Sequence, residues 1–311
     1  MAFGRQGFMR RRLRARLSGL GAAGLAVLAL GAGCGLPEGV DGNLTDDWTP
    51  IAAPTGFTPA AATCHAAAYA PVGTRSAYEQ VDCARAHRSE TVYVGQYPDA
   101  PAPPEPASAA ASQAYRTCDL KTAAYVGGPW RNARLWIGVT HPSAAAWTGG
   151  ARWFRCELVE VSSVEDGGGA VQRSASLKGA LAQPGSPLLL TCYAVKLDAS
   201  GSIDSMPPAT CTAKHNAEFV GVWNAGNLAY PKTDAQWVKF HDGCRSVIAS
   251  YAGVPNDADQ QYRTGVVSLP GGADVWALGD HAVRCYLWVD GATLTASVKG
   301  KGDAGLPILY K

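Results

Sequence analysis

The sequence predicts an α+β protein made of two tandem, similar, disulfide-stapled domains, each an antiparallel sheet with one main helix. Three observations carry that reading. Eight cysteines fall into two sets of four: Cys64, Cys83, Cys118 and Cys156 are spaced 19, 35 and 38 residues apart, and Cys192, Cys211, Cys244 and Cys285 are spaced 19, 33 and 41. Within each set one segment carries a helical face and others read as short strands. Short motifs also recur between the sets at fixed offsets, the mark of an internal duplication of roughly 120 residues. Two units of that size are tandem domains rather than a solenoid, which needs shorter and more numerous repeats.

The elements follow in chain order. Residues 1–33 read as a signal peptide: an arginine-rich start leads into the small and apolar stretch LGAAGLAVLALGAG, which at about 14 residues is too short to span a bilayer. Leu30, Gly31, Ala32 and Gly33 precede Cys34 in a pattern that resembles the lipobox of bacterial lipoproteins, although the usual Leu, Val or Ile three places before the cysteine is here Gly31. That resemblance implies lipidation at Cys34. Cysteine parity agrees, because nine cysteines in an exported chain leave one over, and setting Cys34 aside leaves eight for disulfides. The alternative is plain secretion. Residues 34–62, rich in Gly, Pro, Asp and Thr, read as a flexible tether.

Copy 1 is expected over 63–190 and copy 2 over 191–311. Cys83, His87 and Glu90 match Cys211, His215 and Glu218, each set running into a β-prone stretch, TVYVGQY or FVGVW. Cys118, Tyr125 and Gly127 match Cys244, Tyr251 and Gly253; Trp147, Gly150, Arg155 and Cys156 match Trp276, Gly279, Arg284 and Cys285. Ser176, Lys178 and Gly179 match Ser297, Lys299 and Gly300. Trp237, Phe240, Cys244, Ile248 and Tyr251 form one helical face with Asp234 as its candidate N-cap, and Ala111, Ala114, Cys118, Thr122 and Tyr125 form the other, reached through a Pro/Ala loop. Strands are expected at RLWIGV, RWFRCELVEV and SASLKG, then at QYRTGVV, AVRCYLWV and LTASVKG, with SSVEDGGG (162–169) a hairpin insertion of copy 1 alone.

Four cysteines allow three pairings per copy. The 19-residue spacing suits a hairpin-like closure, favouring Cys64 with Cys83 and Cys192 with Cys211, while the helix tied to the last strand would join Cys118 to Cys156 and Cys244 to Cys285.

Charge narrows the functions. Of 27 basic residues, six arginines and no acid precede residue 34, so the remainder carries 21 basic against 25 acidic groups. A nucleic-acid partner, which needs clustered positive charge, is not expected. The motifs of serine hydrolases, zinc proteases and phosphate-binding loops are absent; Ser176 and Lys178 are two residues apart, not the three of the known serine–lysine motif.

The sharpest chemical candidates are His87 with Glu90 and His215 with Glu218, which on a helical turn would share a face. Two ligands per copy fall short of a metal site. The structural expectation has the imidazoles satisfying backbone groups and the carboxylates pairing with the arginine before the last cysteine, Arg155 or Arg284. A third ligand converging on both pairs at an accessible pocket would instead mark a metal-dependent enzyme. Trp147 and Trp276 read as core residues, with glycan stacking as the functional alternative.

The whole ordered pattern, from the early cysteine through Cys-x3-His-x2-Glu, the helical Cys-x6-Tyr, the Pro-x4/5-Trp-x2-Gly and the closing Arg-Cys, resembles the septum-formation family of exported or membrane-attached actinobacterial proteins. The family's early Gly-Asp-Cys reads Ala62-Thr63-Cys64 and Leu190-Thr191-Cys192 here. The resemblance implies a link to cell division and brings no catalytic residue. The expectation is therefore a non-catalytic, membrane-tethered envelope lipoprotein on the extracytoplasmic face, with paired interaction domains for an envelope protein or wall polymer, and with no cofactor and no resident metal. A metal-dependent envelope enzyme, a wall-glycan-binding module and a plain spacer are the alternatives.

Overall fold

A computed structural model describes residues 57–310. The expected signal peptide, Cys34 and most of the tether lie outside the described residues; Phe57, near the end of the expected tether, packs against Tyr78 with ring centroids 4.5 Å apart and planes tilted by 58°. The described residues belong to one compact unit, in which two main sheets follow one another along the chain.

The first sheet contains β1 (Thr63–His65), β2 (Ser89–Gln96), β3 (Leu135–Thr140) and β4 (Trp153–Glu160), all antiparallel in the spatial order β1-β2-β4-β3. Between β2 and β3 runs α1 (Ala109–Val126), and between β3 and β4 the short α2 (Ala144–Thr148). Ser108 caps α1 by accepting the Ala111 N–H, and Gly127 closes it at φ 80°, a left-handed conformation that glycine adopts without Cβ strain.

Next come β5 (Cys192–Tyr193), the hairpin of β6 (Lys196–Leu197) and β7 (Ile203–Ser205), then β8 (Pro208–Ala209), β9 (Ala217–Asn224), α3 (Asp234–Ala252), β10 (Gly265–Pro270), α4 (Ala273–Ala277) and β11 (Ala282–Trp288). The second sheet is ordered β10-β11-β9-β5-β8. An extra residue bulges from each long inner strand, Val92 in β2 and Val220 in β9. The N-cap of α3 is Thr233, not Asp234: Gln236 reaches back to the Lys232 and Thr233 amides and places Asp234 in the first turn, where its charge meets the positive end of the helix dipole.

Each helix covers one sheet face. Ala114, Cys118 and Val126 of α1 pack with Leu135, Ile137, Phe154, Cys156 and Leu158; Phe240, Cys244 and Ile248 of α3 pack with Val283, Cys285 and Leu287. Disulfides Cys118–Cys156 and Cys244–Cys285 fasten each helix to an inner strand, β4 or β11, with Cα atoms 5.0 and 5.2 Å apart. Cys64–Cys83 and Cys192–Cys211 fasten β1 and β5 to the segments that follow them. All four lie within one sheet's half of the chain.

Two of the expected strands are absent. Residues 174–179 and 295–300 are bends and turns, because their backbone amides point at a buried carboxylate rather than at a neighbouring strand. In QYRTGVV the strand begins only at Gly265, after a 3-10 turn over Ala258–Tyr262.

The insertion 162–169 clasps the two sheets together. Val164 packs against the cluster of Tyr193, Met206, Phe219 and Tyr286 on the face of the second sheet opposite α3. Glu165 accepts the Tyr286 hydroxyl at 2.6 Å, and Asp166 accepts the Met206 N–H at 3.1 Å. A charged network completes the seam: Arg131 pairs with Asp119 at 2.6 Å and with Asp280 at 2.8 Å, Tyr115 donates to Asp280 at 2.7 Å, and Arg284 donates to the Arg131 carbonyl at 2.8 Å.

Removing one member of a largely buried ion pair strands the other. Asp280→Ala is therefore expected to lower the unfolding free energy by about 3 kcal/mol in a urea titration; a loss under about 0.5 kcal/mol, the range of an ordinary surface change, would mean that the seam does not depend on this network.

Candidate functional site

The recurring His/Glu pairs occupy equivalent places in the two sheets, and neither lies on a helical turn. Glu90 stands on β2 directly across from Cys64, and Glu218 on β9 across from Cys192. His87 and His215 precede those strands and are held by paired backbone bonds to Arg173 and Leu294. Strand pairing, not helical periodicity, brings each set together.

The carboxylate is the hub. Glu90 Oε1 lies 3.2 Å from His87 Nε2 and accepts the Leu177 N–H at 2.6 Å, while Oε2 accepts the Tyr125 and Ser176 hydroxyls at 2.9 Å each. Glu218 repeats this with His215 Nε2 at 3.2 Å, the Val298 N–H at 2.9 Å, and the Tyr251 and Ser297 hydroxyls at 2.8 Å each. The other ring nitrogen, Nδ1, faces the Arg85 or Ala213 carbonyl at 2.8 Å. His87, Glu90 and Glu218 are completely enclosed, and His215 is 2% exposed. Every polar atom of both pairs is engaged.

The sequence places the donors. Tyr125 and Tyr251 fall on the last turns of α1 and α3, two residues before the glycine caps, so their hydroxyls overhang the sheet. Their carbonyls accept the Gly179 and Gly300 amides at 2.9 Å, which fixes the turn that carries each serine. Burial, opposed by the serine hydroxyl and reinforced by the glutamate's charge, pushes Tyr125 up to about 12; Tyr251, under the same influences, also stands at about 12.

The expected pairing of these glutamates with arginine is not what forms. Arg155 lies across the first sheet with Glu157: its Nε is 2.8 Å from Glu157 Oε1, an ion pair whose N–H is not aligned for a hydrogen bond, and its Nη1 donates to the Ala77 carbonyl at 2.6 Å. Thr91 donates to the same Glu157 oxygen at 2.7 Å and meets His65 Nε2 at 2.9 Å. Arg284 belongs to the seam, where it donates to the carbonyls of Arg131 and Leu135. The reason is parity: Glu90 and the arginines lie on different sides of their strands, and hydroxyls and amides from the helix side reach the carboxylate instead.

Trp147 and Trp276 are 2% and 6% exposed, their indole N–H groups bonded to the Ala100 and Leu228 carbonyls. Neither has a free face for a sugar ring. Open clefts lie instead at the seam, among them two adjoining ones of about 440 and 390 Å³ that share Tyr115, Trp136, Asp274 and Val275 as lining. These residues belong to no recurring pattern; the one pointer to them in the sequence is the Pro/Ala loop peculiar to the first half, which forms a wall of the second cleft through Pro104 and Pro106.

The septum formation family model matches residues 61–285, running across both sheets. The chain belongs to the septum formation family. Comparison with curated proteins and with solved structures finds no match. The septum formation family is not a known enzyme family, and among the described residues no helix is long and apolar enough to cross a membrane. Four disulfides accord with an extracytoplasmic compartment.

One feature of this septum formation protein meets part of the criterion for a metal site. In each half a third ligand-type atom, the Sγ of Cys64 or Cys192, lies within 4.8 Å of the His/Glu ligand atoms. Strand register brings it there. Both sulfurs, however, are bonded to Cys83 or Cys211, and the thiolate is the form of cysteine that ligates metals. Hydroxyl and amide donors already use the carboxylate oxygens, and both clusters are shut from solvent.

Glu90→Gln puts an NH2 group among donors and is expected to cost about 3 kcal/mol in chemical denaturation; a near-neutral result would demote the cluster to an incidental contact. The tyrosines predict an alkaline effect. A folded-state value near 12 against the ordinary 10.0 means that their contribution is complete below pH 10 and is lost as pH rises towards 12, so Tyr125→Phe with Tyr251→Phe should flatten the stability curve over that window. Elemental analysis of the oxidised protein should find no zinc, and two equivalents per chain would turn the clusters into metal centres.

Proposed function

We propose that this protein is a non-catalytic, lipid-anchored component of the cell envelope that serves septum formation by holding a partner at the seam between two related domains. The observation that carries the reading is the closure of the twin His/Glu clusters. The groups best suited to acid–base or metal chemistry are enclosed, saturated with hydrogen bonds and capped by a disulfide sulfur, which is how a structural staple is built. Two sheets, each with a staple of the same composition, follow from duplication of one ancestral unit. The residues that remain open, Trp136, Asp274 and their neighbours in the adjoining clefts, draw on both units and fit a binding role.

Anchoring rests on the arginine-rich start, the short apolar stretch and Cys34. Stable attachment takes more than one acyl chain, as the modified cysteine of a lipoprotein provides. Fractionation tests it: Cys34→Ser should move the protein from the membrane to the soluble extracellular fraction or leave it unprocessed, and tight membrane association unchanged by the substitution would refute the lipid anchor. The binding role is tested by cross-linking in intact envelopes, where Ala277→Trp, which fills the second cleft from an exposed position, should abolish the adduct. An adduct that survives would place the partner elsewhere.

A further inference from the structure

The second seam cleft carries more information than its position. Tyr69, Tyr97, Tyr115 and Trp136 supply aromatic walls, and Pro71, Pro104 and Pro106 supply rigid apolar ones. Tyr97 is 7% exposed, yet among the described residues its hydroxyl has no hydrogen-bond partner and is not sealed off. The indole N–H of Trp136 is likewise unpartnered and open. Burial pushes the Tyr97 hydroxyl well up, so it remains a donor at any physiological pH. Two residues whose side-chain donors make no internal hydrogen bond therefore line the cleft. The charged residues lining it, Glu105 and Asp274, are both acidic, exposed and in no ion pair. His141, pushed below its ordinary value by burial, adds no positive charge near neutral pH. Ala107, also in the lining, holds a left-handed φ of 59°, an unusual conformation for a residue with a Cβ.

A strand cannot add here. The alternation that makes the Arg134 carbonyl accept the Val161 amide turns the carbonyls of Leu135 and Val139 outward, and these are taken by Arg284 and Tyr69. Ile137 between them is 1% exposed. The β3 edge is closed, which excludes recognition by sheet extension.

We propose that this cleft binds a proline-rich segment of a partner protein in the polyproline II conformation, with a lysine or arginine beside the prolines. A polyproline II chain has no internal hydrogen bonds and presents bare carbonyls, and proline has no N–H to satisfy. It therefore needs donors and flat apolar walls, which Tyr97, Trp136 and the other rings supply. Glu105 and Asp274 meet the basic residue. The proposal rests on the seam being the partner's site.

The test uses the full-length protein and a fluorescein-labelled proline-rich decapeptide with two terminal arginines, followed by anisotropy. Controls are the same peptide with the arginines replaced by glutamate and a Gly/Ser peptide of equal length. Saturable binding is expected for the first alone. Tyr97→Phe removes a hydroxyl that serves no internal bond, so the fold is retained and affinity should fall about fivefold. Glu105→Gln with Asp274→Asn should weaken binding by a further factor of about five and remove its salt dependence. Absence of saturable binding, equal binding of all three peptides, or indifference to both variants would overturn the proposal, as would soluble wall-glycan fragments binding in the decapeptide's stead and losing affinity in Tyr97→Phe. If envelope cross-links remain sensitive to Ala277→Trp while no peptide binds, the seam keeps its partner and only the polyproline occupant is excluded; if the cross-links are insensitive too, the functional reading itself fails.

Discussion

A carboxylate sealed inside each half of this protein governs how the surrounding chain is arranged. A buried glutamate is tolerated only when donors surround it, and here they come from distant segments: a histidine just before the strand, a tyrosine at the end of the helix, and a serine with the following backbone amide from the closing turn. Helix length, cap position and the path of the last turn must agree to within a hydrogen bond. The second half meets the same demand with the same residue types. This explains why so many short motifs recur together, since each supplies one donor to one acceptor.

Beside these hubs β4 is buried on both faces, and that shapes its composition. Every residue of its sequence WFRCELVE is buried, so apolar side chains stand on both faces instead of alternating cleanly with polar ones. Its three charged residues are tolerated because Arg155 and Glu157 meet each other and Glu160 meets Arg173. In β11 the position corresponding to Glu157 is Tyr286, and its partner is Glu165 from the other half. A contact internal to the first half is thus replaced in the second by one that crosses the seam.

Much of this was legible before the structure. Cysteine spacing, the faces of α1 and α3, and the strands carrying Cys156 and Cys285 follow from short-range patterns, which a linear reading captures. The partners of Glu90 were visible as recurring residues but not as partners: Ser176 lies 86 residues away, and its segment, read as a strand, is a turn held by the carboxylate. Arg155 was assigned to the wrong acid because strand parity cannot be read from motif spacing alone. Trp136 and Tyr97 left no recurring trace, since the seam cleft arises where the halves differ.

The insertion at 162–169 has a consequence for the order in which such a chain can be completed. It is encoded with the first sheet, but the surface it closes belongs to the second, and Glu165 waits for Tyr286, which follows 121 residues later. While a chain lengthens from its N-terminus, Val164 stays in water for the whole of that interval, although the first helix and sheet can already be assembled. Completion of the clasp therefore reports that the last strand has arrived, although the first half contains its own core and disulfides.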